Sequence, residues 1–258
     1  EVFVKDEVGG NIPAFEFMPS KYDGLPYYWD GHQAEFTIPP SNSSIDAVNY
    51  IKQGLQVVLN EARKINSKAT LDYRCLIETP PETLKELPFR FINFGCNPSN
   101  NIYKTKAIRV GNPRKVPIRV AGCHIHMGIK DFDSERHHQY VYHKIKSLDQ
   151  VLLPLATAML QGLEDPKRRE LYGRPGEYRI KDYGIEYRVL PSTVLIDPRV
   201  TKAMFDIAHR LPLDLEDDSM ESYINKIVDD AAWLWASVRR GVSSTIGSLS
   251  LESNWGLV

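Results

Sequence analysis

The segment AGCHIHMG, residues 121–128, carries two histidines two positions apart in an otherwise apolar stretch. The β-branched residues of the preceding RKVPIRV, together with the lack of a helical period, predict a β-strand. Because side chains alternate between the two faces of a strand, we expect His124 and His126 on one face. Cys123 and the intervening apolar side chains fall on the other face, which argues against a Cys–His catalytic dyad.

Further strands and helices follow one another irregularly along the chain. Strands are predicted in EVFVKD, GHQAEFTIPP, DYRCLIE, FRFINFG and GIEYRVLP. A first helix is predicted in SNSSIDAVNYIKQGLQVVLNEARKIN, with one apolar stripe formed by Ile45, Val48, Leu55, Val58, Leu59 and Ala62. A second helix is predicted from about Glu135 to Leu163, with a bend at Pro154. Two more helices are predicted in DPRVTKAMFDIAHRL and in MESYINKIVDDAAWLWASVRR, and a polar tail follows. This order does not suit repeated βαβ units and predicts an α+β fold with an antiparallel sheet.

Composition limits the size and the partners of the protein. The 258 residues are 42% hydrophobic and 25% charged, which is enough for a substantial core, and we expect a single domain over 1–258. The motifs discussed below lie in 1–200, and 201–258 is expected to be mainly helical. A net charge of −1 offers no basic field for nucleic acid or an anionic membrane.

Cysteine usage and hydropathy bear on the compartment. The three cysteines have no CxxC spacing, which favours a reducing, cytoplasmic environment. No apolar run approaches the ~20 residues of a membrane span, so none is predicted. The chain opens at Glu1 without a methionine, so further residues upstream are compatible with the sequence.

Polar residues collect on one face of the predicted sheet. Alternation places Glu186 and Arg188 of GIEYRVLP on one face and Glu35 of QAEFTIPP away from its apolar neighbours. Buried charges of this kind cost several kcal/mol unless they are paired or bound. Carboxylates with one imidazole suit Mg²⁺ or Mn²⁺, whereas an arginine and a second imidazole suit phosphate oxygens. A structural zinc site, which needs four nitrogen or sulfur ligands, fits less well.

Each of these features also has a purely structural explanation. The two histidines could serve packing, Glu186 with Arg188 could form an ordinary ion pair, and Glu35 could face solvent. The segment DPKRRELYGRPGEYRIK, with six cations in seventeen residues, could be a solvated loop or could face phosphate. Surface or packing roles are expected for the three histidines of the long helix, His137, His138 and His143.

Five segments occur in the order found in phage-type carboxylate–amine ligases: WDGHQAEFTIPP, GCNPSNN, RVAGCHIHMG, RRELYGRPGEYRIK and YGIEYRVLP. The chain resembles these COOH–NH2 ligases, or amidoligases, of the glutamine synthetase and glutamate–cysteine ligase superfamily from residue 1 to about residue 200. The resemblance implies a curved, mainly antiparallel sheet flanked by helices, with ATP and Mg²⁺ (or Mn²⁺) on its concave face. It also implies an amide-forming ligase that uses an acyl phosphate, a small-molecule or peptide carboxylate and an amine acceptor.

The resemblance further implies roles for individual residues. The metal ligands would be Glu1, Glu35, His124 and Glu186. His126 would contact nucleotide phosphate, Arg188 would face the transferred phosphoryl group, and Arg174, Arg179 and Lys181 would bind phosphates or substrate. Glu1 can serve only if a strand holds it, because a free chain end would fray. The chain departs from the family pattern at Cys123, where glycine is usual, and at Asn97 and Ser99, where acidic residues are usual.

Two other functions remain open from the sequence. A cupin-like or hydrolytic metalloenzyme could use His124 and His126, although a cupin needs a glutamate three or four residues after the second histidine. The nearest acids here begin at Asp131, and no later strand carries a histidine. A non-catalytic phage structural or binding protein could also keep the sheet without turnover. The helix with Trp233 and Trp235 is expected to pack on the core, and a homo-oligomer is possible.

Overall fold

A computed structural model describes residues 1–94, 99–104, 106, 110–160, 162–211 and 255–257. The strands of this part are β1 Phe3–Lys5, β2 Tyr27–Asp30, β3 Gln33–Phe36, β4 Thr70–Asp72, β5 Leu76–Glu78, β6 Asn100–Asn101, β7 Ile118–Val120, β8 Gly122–Gly128, β9 Glu177–Lys181 and β10 Gly184–Pro191. Its helices are α1 Ser44–Ile65, α2 Pro81–Glu86, α3 Phe89–Ile92, α4 His138–Met159, α5 Arg168–Leu171 and α6 Pro198–Arg210. Short 3₁₀ helices occupy Ala14–Glu16, Lys21–Asp23 and Ser192–Ile196.

The pairing of these strands is antiparallel. Four strands form one sheet in the order β6-β9-β10-β8, and the pairs β1-β4, β2-β3 and β5-β7 are also antiparallel. The β2-β3 hairpin is tied to the start of the chain, where Val2 and Ala34 exchange two backbone hydrogen bonds of 2.9 and 2.8 Å. The predicted α+β class with mainly antiparallel strands is therefore confirmed.

The alternation predicted for the histidine strand is confirmed. On β8, the side chains of Cys123, Ile125 and Met127 pack against the main hydrophobic core. On the neighbouring β10, Ile185 and Tyr187 belong to the same core, and the Tyr187 hydroxyl donates to Asp149 Oδ1 on α4 at 2.8 Å. The opposite face of both strands is thus left for the polar residues.

Helices α1, α4 and α6 cover the apolar side of the sheet and supply a large part of the main core. The predicted stripe of α1 is buried at Leu55, Val58, Leu59 and Ala62, but Ile45 is 63% exposed. Ile45 lies in the first turn, just after Ser43 caps the helix by accepting from the Asp46 amide at 3.2 Å. The buried stripe begins later, at Ala47. The predicted helix DPRVTKAMFDIAHRL is confirmed as α6, capped by Asp197.

Several predicted boundaries are wrong. FRFINFG is not a strand: its first four residues form α3, which begins directly after Pro88 because proline fits the start of a helix. DYRCLIE is split between β4, which pairs with β1, and β5, which pairs with β7. RKVPIRV and AGCHIHMG are likewise two strands, since β7 pairs with β5 and β8 pairs with β10. In the last two cases, the two halves of one continuous apolar segment pair with different strands.

The long helix is shorter than predicted, since α4 runs from His138 to Met159 and includes Pro154. His138 and His143 are exposed and His137 is half-buried, as expected. Trp255, predicted in a polar tail, is buried, and its Nε1–H donates to Leu195 O at 2.8 Å. The predicted helix MESYINKIVDDAAWLWASVRR, with Trp233 and Trp235, lies outside the described residues. Among the helices that are described, none is long and apolar enough to cross a membrane.

Candidate metal-binding and active site

A tight hairpin places two carboxylates on one face of β2 and β3. Asp30 pairs with Gln33 across a turn in which Gly31 has φ of +66°, a left-handed value that favours glycine. Tyr28 lies directly opposite Glu35 in the same register. Because directly opposed residues share a face, Tyr28, Asp30 and Glu35 all project to the same side.

Glu1 completes this acidic group. Its main-chain nitrogen donates to Gly122 O at 3.1 Å, and its Oε2 accepts from the Gly122 amide at 2.6 Å. Glu1 was expected to need a strand to hold it, and backbone contacts to β8 do so. Its side chain is 4% exposed. Ligand oxygens of Glu1, Asp30 and Glu35 all lie within 4.8 Å of one another. We call these three residues the carboxylate cluster.

Ionisation of the carboxylate cluster is unfavourable in the metal-free protein. Burial, together with the nearby Glu35 and Glu1, raises the pKa of Asp30 to about 8. Burial also raises the pKa of Glu1 above its usual range, and Glu35 adds to this effect. Burial and the hydrogen-bonded Glu35 raise the pKa of Tyr28 well above its ordinary value. A bound cation would relieve this mutual repulsion.

A second group lies beside it on β8 and β10. Glu186 is the direct cross-strand partner of His126, and its Oε1 is 3.3 Å from His124 Nδ1. Ligand atoms of His124, His126 and Glu186 lie within 4.8 Å of one another. We call these residues the histidine cluster. The two clusters adjoin, since His124 Nε2 is 4.0 Å from Glu1 Oε1.

Cations surround Glu186. Arg188 forms a buried ion pair with Glu186 Oε1, and Lys181 Nζ is 2.9 Å from Oε2. Arg179 is the cross-strand partner of Glu186 on β9, so its side chain leaves the sheet on the same face. Although burial opposes ionisation, Arg188 and Lys181 hold the pKa of Glu186 below its usual range. Burial and Arg188 lower the pKa of His124 well below its usual value, so the imidazole is neutral and able to bind a metal.

Two tyrosine hydroxyls are hydrogen-bonded to the imidazoles of the histidine cluster. The Tyr172 hydroxyl is hydrogen-bonded to His124 Nε2 at 2.6 Å. The Tyr183 hydroxyl is hydrogen-bonded to His126 Nδ1, and its ring stacks on the imidazole with centroids 6.1 Å apart. Tyr172 is buried, whereas Tyr183 and His126 are exposed, so the site opens to solvent on the side of His126.

Part of the basic segment has a structural role. Arg168 is fully buried and donates to the carbonyls of Ala121, Val189 and Leu190 at 3.2, 3.0 and 2.8 Å. Its guanidinium group thus satisfies carbonyls where the β8-β10 register shifts.

Arg174, predicted to bind phosphate or substrate, lies 3.1 Å from Glu177 and donates to the Leu171 and Glu170 carbonyls. The structure gives it no contact with either cluster among the described interactions. Arg179 and Lys181 lie not in a loop but on β9, beside Glu186.

The donors present fit a hard divalent cation. The carboxylate cluster offers oxygen ligands alone, and the histidine cluster offers two nitrogens and one carboxylate. Oxygen-rich sites suit Mg²⁺ or Mn²⁺, and an imidazole can join them. Of the predicted ligands, Glu1 and Glu35 lie in one cluster and His124 and Glu186 in the other.

Three site residues escaped the sequence prediction. Asp30 could have been found, because Asp-Gly between two strand-like runs is a strong hairpin signal that fixes which residues share a face with Glu35. Tyr172 and Tyr183 carried no such signal, since their contacts with His124 and His126 depend on the path of the connecting chain. The prediction for the loop of Asn97 lies outside the described residues.

Comparison with known families supports the resemblance found in the sequence. Residues 111–224 match the model of a family described as phage phiEco32-like COOH.NH2 ligase-type 2. This stretch contains the histidine cluster, Tyr172 and the cations of β9 and β10, whereas the carboxylate cluster lies outside it. No curated protein and no solved structure matches the chain. The resemblance to phage-type carboxylate–amine ligases is thus confirmed over residues 111–224.

Proposed function

Because residues 111–224 match the model of a phage-type carboxylate–amine ligase family, we propose that the protein is an ATP- and Mg²⁺-dependent amidoligase. It joins a carboxylate, on a small molecule or peptide, to an amine through an acyl phosphate. The observation that carries this proposal is the pair of adjoining clusters, separated by only 4.0 Å between His124 Nε2 and Glu1 Oε1.

In the first half-reaction, a carboxylate oxygen of the substrate attacks the γ-phosphorus of ATP, and the bond from that phosphorus to ADP breaks. In the second, the amine nitrogen attacks the acyl carbon, a C–N bond forms, and phosphate leaves as the nitrogen loses a proton. Both halves concentrate negative charge on phosphoryl oxygens, which positioned cations stabilise.

The two clusters provide the ligands for divalent cations. Glu1, Asp30 and Glu35 would hold one ion, and His124 with Glu186 would hold a second. Such ions neutralise the nucleotide phosphates and polarise the transferred phosphoryl group. His126 is the most exposed member of its cluster and would meet the phosphate side.

The cations of β9 and β10 differ in how accessible they are to a ligand. Lys181 and Arg179 lie on the accessible face beside Glu186, where they would contact ATP phosphates. Arg188 is buried against Glu186 and would stabilise the acyl phosphate from beneath. Arginine suits this role because its planar donors match phosphoryl oxygens.

One observation favours a second candidate. His124, His126 and Glu186 form a two-histidine, one-carboxylate set, which also binds redox-active iron in other enzymes. Against it, Glu186 is already engaged by Arg188 and Lys181, and an iron site of that kind has no use for the carboxylate cluster beside it. The ligase proposal accounts for both clusters.

Hydroxylamine offers a direct test, because it replaces the unknown amine and converts acyl phosphates to hydroxamates. The protein is incubated with Mg²⁺, ATP, hydroxylamine and pools of amino acids and peptides, and both hydroxamate and ADP are measured. We expect ADP and hydroxamate in equal amounts with at least one pool. Glu186→Gln should abolish both, whereas Glu78→Gln, an exposed glutamate on β5, should leave them unchanged. Iron-dependent oxidation without ADP release would instead support the second candidate.

A further inference from the structure

Tyr172 is the buried residue that reaches the histidine cluster from outside the sheet. It follows α5 in the basic segment, and its hydroxyl is 2.6 Å from His124 Nε2. The two rings are nearly perpendicular, at 83°, with centroids 5.9 Å apart. An edge-to-face contact with a terminal hydrogen bond fixes both the position and the rotation of the imidazole.

Tyr172 is itself held firmly. The guanidinium groups of Arg168 and Arg188 lie 5.3 and 5.1 Å from the centre of its ring. Arg168 is anchored in turn by three backbone carbonyls. Gly122 leaves room for the contact, since a Cβ there would lie 3.1 Å from Tyr172 Cε1 and 3.2 Å from His124 Nε2. A side chain that is held by several contacts, as Tyr172 is, can position a neighbouring functional group.

The two nitrogens of His124 have different surroundings. Nε2 is taken by Tyr172, while Nδ1 faces Glu186 Oε1 at 3.3 Å. A metal-bound histidine generally uses one nitrogen for the metal and the other for a fixed hydrogen-bond partner. Nδ1 is therefore the nitrogen available to an ion shared with Glu186.

We propose that Tyr172 is a positioning residue that fixes the orientation of the His124 imidazole and leaves its Nδ1 to the metal ion. The metal part of this inference rests on the proposed function, whereas the ordering of the imidazole does not. Removing such a supporting hydrogen bond lowers metal affinity by about 10–100-fold in other metalloproteins.

Tyr172→Phe removes the hydroxyl and keeps the ring between its two arginines. Tyr187→Phe is a matched control, because Tyr187 is equally buried and loses a hydroxyl bonded to Asp149 on the other face of β10. Nuclear magnetic relaxation of the His124 ring in metal-free protein reports whether the imidazole is held in one orientation, and Mn²⁺ titration reports affinity. We expect one ordered orientation in the wild type and in Tyr187→Phe, and a mobile ring in Tyr172→Phe. Mn²⁺ affinity should fall about 10–100-fold in Tyr172→Phe alone.

The inference is overturned if Tyr172→Phe keeps both the ring order and the Mn²⁺ affinity of the wild type. Equal losses of affinity in the two variants would also overturn it, because they would reflect general destabilisation. If the wild type binds no Mn²⁺, the metal site of the proposed function fails. Ring order that still depends on Tyr172 would then support the positioning role by itself.

Discussion

Glu186 lies directly across from His126 in the β8-β10 pair, and its carboxylate reaches back along the strand to His124. The same carboxylate is paired with Arg188 in the interior and with Lys181 at the surface. One side chain thus joins two imidazoles to two cations.

The buried pair of Glu186 and Arg188 should be strongly coupled in the metal-free protein. Either Glu186→Gln or Arg188→Met should lower the free energy of unfolding by about 3–5 kcal/mol, because each takes the buried ion-pair partner away from the other side chain. The double variant should lose less than the sum of the two by about 1–3 kcal/mol. Urea denaturation of all four proteins measures this cycle.

Lys181→Met provides the control for that cycle. The Lys181 side chain is 31% exposed, so its pair with Glu186 should contribute under about 1 kcal/mol. Additive losses for Glu186 and Arg188 would show that the two side chains are not coupled in solution.

Asp30 should make metal-free stability depend on pH. Its pKa is raised to about 8 in the folded protein, so the stabilisation it gives is complete below its unfolded pKa and is lost as pH rises through 8. Asp30→Asn should therefore be more stable than the wild type at pH 8.5 in EDTA, by a few degrees in Tm, with a much smaller difference at pH 4. Thermal melts at the two pH values check this.

Saturating Mn²⁺ should reverse that order at pH 8.5, because the ion binds the ionised carboxylate and stabilises the wild type. A difference between Asp30→Asn and the wild type that stays constant from pH 4 to pH 8.5 would contradict the crowding of charge in the carboxylate cluster.

Gly122 should tolerate no side chain. A Cβ would press on Tyr172, Arg168 and His124 at 3.1–3.2 Å, and the same residue binds Glu1 through its backbone. Gly122→Ala should cost about 1–3 kcal/mol of stability and at least tenfold in Mn²⁺ affinity. Gly111→Ala, where a Cβ meets nothing within 4 Å, should leave Mn²⁺ affinity unchanged. Wild-type affinity in Gly122→Ala would show that the contact relaxes without disturbing His124.

The local sequence pattern predicted the faces of a strand correctly where the predicted strand is a single strand in the structure. The faces of β8 and β10 followed from alternation alone, and so did the grouping of His124, His126, Glu186 and Arg188. It failed at FRFINFG, where a preceding proline and the surrounding fold favour a helical turn over the β-propensity of the apolar residues.

The remaining features depend on contacts between distant parts of the chain. Glu1 meets Gly122 across 121 positions, and Tyr172 meets His124 across 48. The periodicity of a local segment does not predict contacts between residues so far apart in the chain. The role of Arg168 could not be predicted for a related reason, since the backbone carbonyls to which it donates are brought together only in the folded sheet.

The number of metal ions bound tests the central claim most directly. Mn²⁺ binding, followed by electron paramagnetic resonance and calorimetry, should give two sites per chain for the wild type. Glu35→Gln should weaken or remove one site and Glu186→Gln the other, while Glu78→Gln keeps both. A wild type that binds no Mn²⁺, or two variants that lose the same single site, would contradict a ligase centre built from two adjoining clusters.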